Sequence, residues 1–320
     1  MRRVPLTAQM FGGILRLEES RPLIALAFLV FVAGIITPKF FSVNNFTAIM
    51  SSMAVVATAS LGEALIMTMG SIDLSVGSQI GLGTLLSAAL LAHYNFSFEM
   101  TLFTVLLVGT MVGFANGILV TKGRMPSFII TLATLSIIRG AIYLYSDLNI
   151  PIFNPTFLAL GGNVTMVPKI FGILLLSTIA LYFFSRFFKI GLYIRAIGGN
   201  EVASRNMGIE ADGVKNFVFT LAGLLCAMAG IMLASRLGAS YPNAGYGYEL
   251  DVIAAVVVGG VPLTGGRGSL IGVLAGAALL ATIVNCMVLL NIAAFWQYVV
   301  KGTVLVVAAT VYRGALPFGR

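Results

Sequence analysis

Charged residues are scarce in this chain. Only 9% of its 320 positions are Asp, Glu, Lys or Arg, whereas about 25% are charged in a soluble domain. Hydrophobic residues fill 59% of the positions, against roughly 45–50% in soluble proteins. A soluble core of this length cannot bury so much apolar surface, so lipid must solvate much of the chain. No polar stretch is long enough for a separate soluble domain, and we predict one membrane domain over residues 1–320.

Residues that support metal binding or acid–base chemistry are also few. The chain has one His, two Cys and eleven carboxylates. Cys226 and Cys286 lie in separate apolar segments, which indicates neither a disulfide nor a metal site. No phosphate-binding Gly-x-x-x-x-Gly-Lys-Ser/Thr and no His-Glu-x-x-His occurs in the sequence. We therefore predict a protein that is not an enzyme and has no metal or cofactor of its own.

Long apolar runs dominate what is present. A helix needs about 20 such residues to cross a bilayer, and on that criterion we predict an all-α, polytopic membrane fold with about ten spans and both termini cytoplasmic. Residues 1–21 form a cytoplasmic segment in this scheme, without a cleavable signal. The predicted helices are 22–37, 46–69, 74–92, 100–120, 127–145, 167–187, 216–236, 250–264, 268–290 and 294–312.

The basic residues follow this topology. Although the net charge is +8, they sit in short loops between apolar runs, where they set orientation in the membrane rather than bind nucleic acid. The predicted outer loop 146–166 has none. Fourteen of the nineteen fall in the predicted inner segments: Arg2, Arg3, Arg16, Arg21, Lys122, Arg124, Arg186, Lys189, Arg195, Arg205, Lys215, Arg267, Arg313 and Arg320.

The longest polar connection, 186–215, contains the pattern of a short capped helix. Asn200 is a good N-cap, Glu201 suits the positive end of a helix, and Gly208 can end it. A helix of this kind on the inner face could insert into a cleft of a partner ATPase. It could equally be an interfacial helix anchored by Arg195 and Arg205.

Three ionisable residues fall at membrane depth, Glu63, Arg139 and Lys301. A charge near a helix centre costs roughly 2.5–3.5 kcal/mol on insertion scales, so such residues are candidates for a translocation path or a structural ion pair. We favour the ion pair, with Glu63 bonded to Arg139 or Lys301.

A Gly-rich turn at Gly70–Ser78 is predicted on the inner side. Asp73 there would cap the next helix, beside Ser75 and Gly77. A second Gly-rich turn, Gly259–Gly266, joins two helices at the same membrane side and suggests a faint internal repeat, a feature of many transporters. Chance similarity between Gly-rich turns explains it equally well.

Four motifs in order resemble one family of proteins. They are Gly70–Ser78, Thr131–Leu135 with the following Arg139-Gly140, Ile194–Ile209, and Tyr248–Gly260. Together they are similar to the ribose/xylose-type permeases of bacterial ABC importers, and the similarity runs from about Phe40 to the last helix.

The resemblance implies a permease subunit in the bacterial inner membrane. It implies a second permease subunit, identical or similar, ABC ATPase subunits that hydrolyse ATP on separate chains, and a periplasmic or extracellular sugar-binding protein. It also implies an ATPase-coupling loop, with these residues at its core: Gly198, Gly199, Asn200, Glu201, Ala203, Arg205 and Gly208.

Other functions stay open at the level of sequence. The solute is expected to be a monosaccharide, but a branched-chain amino acid, a nucleoside or a signalling sugar could use the same scaffold. An ion-coupled secondary transporter or channel would act without a motor, although the supply of acidic residues is thin for one. A membrane-embedded enzyme would need catalytic groups, and few are present.

Overall fold

The computed structural model describes residues 17–313. Residues 1–16 of the predicted cytoplasmic segment 1–21 therefore lie outside the described part of the chain. The first half of the chain contains α1 (Leu17–Ile36), a 3₁₀ helix (Pro38–Phe41), α2 (Val43–Thr68), α3 (Val76–Ala92), α4 (Phe98–Thr121) and α5 (Ser127–Tyr145). A surface segment follows with β1 (Ile150–Pro151), α6 (Pro155–Gly161), β2 (Asn163–Val164) and β3 (Val167–Pro168). The second half contains α7 (Lys169–Phe187), α8 (Lys189–Gly199), α9 (Glu201–Asn206), α10 (Ala211–Leu237), β4 (Ala239–Ser240), α11 (Tyr248–Val258), α12 (Leu270–Leu289) and α13 (Ala294–Arg313).

The all-α prediction is confirmed, because the strands are two-residue pairings in the connections. β1 pairs with β4 and β2 pairs with β3, both antiparallel. Each of the ten predicted helical segments overlaps an observed helix. Six helices in the described residues, α2, α4, α5, α7, α10 and α12, are long and apolar enough to cross a membrane.

Three predicted helix boundaries are wrong by five or six residues, and one of them is the start of the first helix, which begins at Leu17 instead of residue 22. The eighth helix was expected to continue to residue 264, but α11 ends at Val258. Gly260 has a φ of 94°, a conformation that glycine adopts without strain, and Pro262 lacks the N–H that a helix would need. The seventh helix begins at Ala211 instead of residue 216, so a polar first turn extends it.

Helix α10 occupies the centre of the bundle, and small residues bring its neighbours against it. The backbone of Gly223 lies so close to α4 that an added Cβ would be 2.3 Å from the carbonyl oxygen of Gly109 and 2.8 Å from Cα of Gly113. An added Cβ at Gly62 of α2 would lie 2.9 Å from Cα of Ala222. Small residues at helix contacts are the usual means of close packing in lipid, where there is little hydrophobic drive between helices.

Replacing Gly223 with leucine is expected to lower the folded fraction strongly, because the atoms it meets are backbone and cannot rotate away. Overpacking of a filled core costs about 1–3 kcal/mol. The matched control is Gly172→Leu on α7, where an added Cβ meets no atom within 4 Å among the described residues. Both variants are heated in detergent, and size-exclusion chromatography measures the fraction that stays folded at each temperature. Equal denaturation midpoints for Gly223→Leu and Gly172→Leu would contradict the close packing of α10 against α4.

Two helices begin inside the bundle instead of at its surface. The backbone N–H of Asp73 donates to Glu63 Oε1 at 3.1 Å, and Glu63 lies about 8 Å along α2 from Thr68 at the helical rise per residue. The chain after Thr68 therefore turns back along α2, and α3 starts beside Glu63. Helix α11 has 11 residues, about half of what a span needs.

The segment 241–247, ahead of α11, also lies inside the bundle. An added Cβ at Gly77 would be 2.6 Å from the carbonyl oxygen of Gly245, and one at Gly81 would be 2.5 Å from that of Ala244. The N-terminal ends of α3 and α11 therefore meet next to one another. The close contact with the first turns of α3 places the segment 241–247 within the bundle and not at its surface.

Candidate functional site

The α8–α9 unit (residues 189–208) has the local structure predicted from its sequence. Asn200 is the N-cap of α9, and its side chain accepts a hydrogen bond from the backbone N–H of Ala203 at 2.9 Å. Gly208 follows the helix with a φ of 85°. The cap, the short helix and the glycine stop are confirmed, since each depends on local hydrogen bonding.

Ion pairs fasten α9 to the first turn of α10. Glu201 accepts from Arg205 at 2.8 Å and from Lys215 at 2.6 Å, and Arg205 also pairs with Asp212. Partial burial of Glu201 opposes ionisation, but the hydrogen bonds from Lys215 and Arg205 outweigh it and lower the pKa of the carboxyl. The pairs therefore form fully at neutral pH and weaken only as the pH falls through that lowered pKa.

The C-terminal end of α8 sits on the turns that follow α2 and α11. The N–H of Gly266 donates to the carbonyl oxygen of Thr68 at 2.8 Å. An added Cβ at Gly198 would be 1.8 Å from that same oxygen and 2.6 Å from the nitrogen of Gly266. Three segments far apart in sequence thus converge on one carbonyl group, and the glycines of the two turns are adjacent, since an added Cβ at Gly265 would lie 2.7 Å from the nitrogen of Gly70.

A cleft of about 790 Å³ separates α9 from the loop between α4 and α5. It is lined by Gly70–Ile72, Val120, Thr121, Arg124–Phe128, Glu201, Arg205, Asp212 and Lys215. The charges of α9 face this cleft and α10, while Val202 and Met207 are about 70% exposed. Helix α9 therefore presents two exposed apolar side chains and is held in place by the ion pairs.

A buried polar network surrounds the start of α3. Asp73 Oδ1 accepts from the backbone N–H of Ser75 at 2.7 Å and from its hydroxyl, and Asp73 Oδ2 accepts from Gln79 at 3.3 Å. Asn116 of α4 donates to the Ser75 hydroxyl at 3.1 Å and accepts from Thr134 of α5 at 2.6 Å. The network joins α2, α3, α4 and α5, and a fully buried Glu63 stands at its end.

The predicted pairing of Glu63 with Arg139 or Lys301 is wrong. Lys301 donates to Asp251 at 2.8 Å, so it does form an ion pair, with another partner. Arg139 donates to the carbonyl oxygen of Ala244 at 2.8 Å and supports the segment 241–247. Glu63 instead accepts from the backbone of Asp73, and its second oxygen has no hydrogen-bond partner within residues 17–313.

The predicted capping role of Asp73 is also wrong in detail. The N-cap position of α3 belongs to Ser75, and Asp73 acts two residues earlier as the acceptor that shapes the turn. Gly77 lies in the first turn of α3 and permits the approach of the segment 241–247. Asp73 is inside the bundle and not at an inner surface, because the chain folds back along α2.

Sequence reasoning missed four polar members of these sites. Gln79 and Asn116 belong to the network, and Thr134 and Asp251 complete its contacts and the pair with Lys301. Each is a polar residue within an apolar run, and an ionisable residue at membrane depth signals a functional or structural partner. Asn116, Thr134 and Asp251 have partners on other helices, so the sequence offered a signal but no pairing. Gln79 bonds to Asp73 and Ser75 just ahead of it.

Comparison with known proteins assigns the family. Residues 45–309 match the family described as branched-chain amino acid transport system / permease component. The ribose import permease protein RbsC of Haemophilus influenzae is 37% identical over 303 residues, 91% of this chain and 92% of that protein. The RbsC protein of Bacillus subtilis is 36% identical over 311 residues, 95% and 94% of the two chains.

A third relative has a different named solute. The autoinducer 2 import system permease protein LsrC of Yersinia pseudotuberculosis is 34% identical over 300 residues, 90% of this chain and 82% of that protein. No solved structure matches the chain. The predicted resemblance to ribose-type permeases is confirmed, and this chain belongs to the branched-chain amino acid transport system / permease component family.

Proposed function

We propose that the chain is the transmembrane permease subunit of an ABC importer and moves a monosaccharide, with a pentose such as ribose the first choice, into the cytoplasm. The observation that carries this is the similarity to ribose import permeases at 36–37% identity over 91–95% of the chain. The apolar helices agree with a multi-pass protein of the bacterial inner membrane.

The proposed topology has ten spans with both termini cytoplasmic. The two Gly-rich turns, the loop 121–126 and the α8–α9 unit then share the cytoplasmic end of the bundle, where basic side chains are abundant. The segment 146–166, which has no basic residue, and the β1–β4 pair lie at the outer end. Helix α11 completes its span together with the segment 241–247.

The α8–α9 unit is the proposed coupling surface for an ABC ATPase subunit. Its residues Gly198 to Gly208 would receive the motion of the ATPase, and α7 and α10, which flank the unit, would carry it into the membrane. A second permease subunit would complete the pore, and an extracytoplasmic binding protein would deliver the solute. ATP is then hydrolysed on the partner chain.

Two related solutes remain as second candidates. The similarity to LsrC supports autoinducer 2 or another signalling sugar, and the description of the matched family supports a branched-chain amino acid. Both would use the same coupling surface, so they differ from the first choice only in the solute. An ion-coupled transporter or channel would leave the exposed apolar surface of α9 without a use.

Uptake in proteoliposomes tests the proposal. The chain would be assayed alone and with its neighbouring ATPase and binding protein, using labelled ribose, xylose, glucose, autoinducer 2 and leucine. We expect ribose uptake only with all components and ATP. Gradient-driven uptake by the chain alone would refute the importer, and ATP-driven uptake of leucine or autoinducer 2 in preference to ribose would replace the solute.

Replacing Val202 with aspartate is expected to uncouple transport without unfolding the chain. Val202 is exposed on α9, so the fold loses little, whereas a charge placed in an apolar contact with the ATPase is costly. The matched control is Val164→Asp. Val164 is an exposed valine in β2, which precedes α7, whereas the α8–α9 unit follows α7 at its other end. Uptake and solute-stimulated ATP hydrolysis should fall about 10-fold or more in Val202→Asp only. Equal rates in the two variants would show that Val202 of α9 does not contact the ATPase subunit.

A further inference from the structure

A second cavity, of about 330 Å³, lies between α2, the end of α10, α11, α12 and α13, away from the α8–α9 unit. This volume is at the lower end of the roughly 300–1,000 Å³ range of small-molecule sites. Its polar and aromatic lining consists of Ser52, Arg236, Tyr246, Tyr248, Asp251, Gln297, Tyr298 and Lys301. Small apolar residues of α12 form much of the remaining wall.

One carboxylate oxygen in the wall of this cavity is almost fully covered and makes no hydrogen bond among the described residues. Asp251 Oδ2 accepts from Lys301 at 2.8 Å, and Asp251 Oδ1 has no hydrogen-bond partner among the described residues. Only 9% of Asp251 is exposed. A buried acceptor without a partner is unfavourable, so it indicates a group that a ligand can satisfy.

The surrounding side chains suit a neutral polyhydroxy ligand. Lys301 balances the charge of Asp251, and Arg236, the other cation of the lining, donates to the Ser52 hydroxyl at 2.9 Å. Asp251 Oδ1 is left as an acceptor for a hydroxyl group. Gln297 and the tyrosine hydroxyls both donate and accept hydrogen bonds. The rings of Tyr246 and Tyr298 give flat apolar faces with a polar edge, and the C–H face of a sugar ring packs well on such a surface.

The cavity lies beside the start of α11, where the helical path through the bundle is interrupted. Tyr248 and Asp251 are in the first turn of α11, which begins inside the bundle after the segment 241–247. Transporters commonly form solute sites at interrupted helices near the middle of the membrane. Tyr248 and Asp251 of α11 and Gln297, Tyr298 and Lys301 of α13 thus line one polar space within the membrane domain.

We propose that this cavity is a transient monosaccharide-binding subsite on the translocation path, with Asp251 accepting a hydrogen bond from a sugar hydroxyl and Tyr298 packing against the ring. The inference rests on the proposed importer function and assigns to it a solute contact. Lys301 acts as a positioning residue, because it holds the Asp251 carboxylate through the other oxygen.

Uptake by the assembled importer gives the first test. Asp251→Asn keeps the shape of the side chain and should lower the ribose uptake rate about 10-fold or more. Tyr298→Ala should lower it about 3- to 10-fold, and it avoids a folding defect because Tyr298 is 52% exposed. The matched control is Tyr143→Ala on α5, 47% exposed and outside the cavity lining, which should keep the wild-type rate.

Direct binding gives the second test. Isothermal titration calorimetry measures the heat of binding and needs no reporter group in the cavity. The chain in phospholipid nanodiscs is titrated with D-ribose and with L-leucine. We expect a saturable heat of binding with ribose, absent with leucine and lost in both Asp251→Asn and Tyr298→Ala.

The outcomes separate this subsite from the importer. If the wild-type complex imports ribose while Asp251→Asn and Tyr298→Ala import it equally well, the subsite is refuted and the importer stands. Leucine binding in preference to ribose also refutes the sugar subsite. If the wild-type complex imports no sugar, the importer function fails first, and the inference that rests on it falls with it.

Discussion

Replacing Gly198 with alanine is expected to reduce ATP-dependent uptake at least about 10-fold, while alanine at the neighbouring Gly199 leaves it near the wild-type rate. The added Cβ at Gly198 would lie 1.8 Å from the carbonyl oxygen of Thr68, whereas at Gly199 it would meet no atom within 4 Å among the described residues. The clash is with backbone, so α8 must shift away from the turn. Forced overpacking of this kind costs about 1–3 kcal/mol, and 1.4 kcal/mol corresponds to a factor of ten.

The readout must separate coupling from folding. Uptake and stimulated ATP hydrolysis would be measured on complexes purified by size exclusion, so that only folded chains are compared. Loss of uptake with ATP hydrolysis that no longer responds to the solute is the expected pattern for Gly198→Ala. Equal uptake by Gly198→Ala and Gly199→Ala would contradict the direct contact between α8 and the turn after α2.

Replacing Asp73 with leucine is expected to destabilise the bundle more than any surface change. It would remove the acceptor for the Ser75 N–H, the Ser75 hydroxyl and the Gln79 amide, all buried. Each buried polar group left without a partner costs about 1–3 kcal/mol. Because the network continues through Asn116 to Thr134, the loss should loosen the contacts of α3 with α4 and α5.

Thermal denaturation in detergent measures this effect, with Asp147→Leu in the exposed connection after α5 as the control. Asp73→Asn is an intermediate test, since the amide oxygen can still accept from Ser75 while the charge is gone. We expect the highest denaturation temperature for Asp147→Leu, an intermediate one for Asp73→Asn and the lowest for Asp73→Leu. A midpoint for Asp73→Leu equal to that of Asp147→Leu would show that the network does not stabilise the fold.

Local features were predictable from the sequence. Asn200 and Gly208 act within one helical turn of their own positions, so cap and stop chemistry could be read without knowledge of the fold. The same holds for the positions of the apolar helices, because the transfer of a run of apolar side chains into lipid depends on that run alone. The family resemblance added the expectation of a coupling segment.

Contacts between helices were not predictable in this way. Glu63, Arg139 and Lys301 were recognised as unusual, but the predicted pairings were wrong, because each partner depends on which helix lies opposite. No local sequence pattern predicts that α3 starts beside Glu63 or that the segment 241–247 enters between helices. The glycines in both segments are the one local sign of close contact. Neither arrangement could be inferred before the close contacts of Gly77 and Gly245 were known.

The sequence by itself determined the class of the protein, the approximate positions of its helices and the capped helix at Asn200. These follow from hydrophobicity and hydrogen bonding over short stretches of chain. Only the tertiary structure decided that Thr68, Gly198 and Gly266 meet at one carbonyl group, and that Asp251 faces Lys301 with one oxygen unused. The physical reason is that such contacts join helices far apart in sequence, whose relative positions are set only when the whole bundle packs.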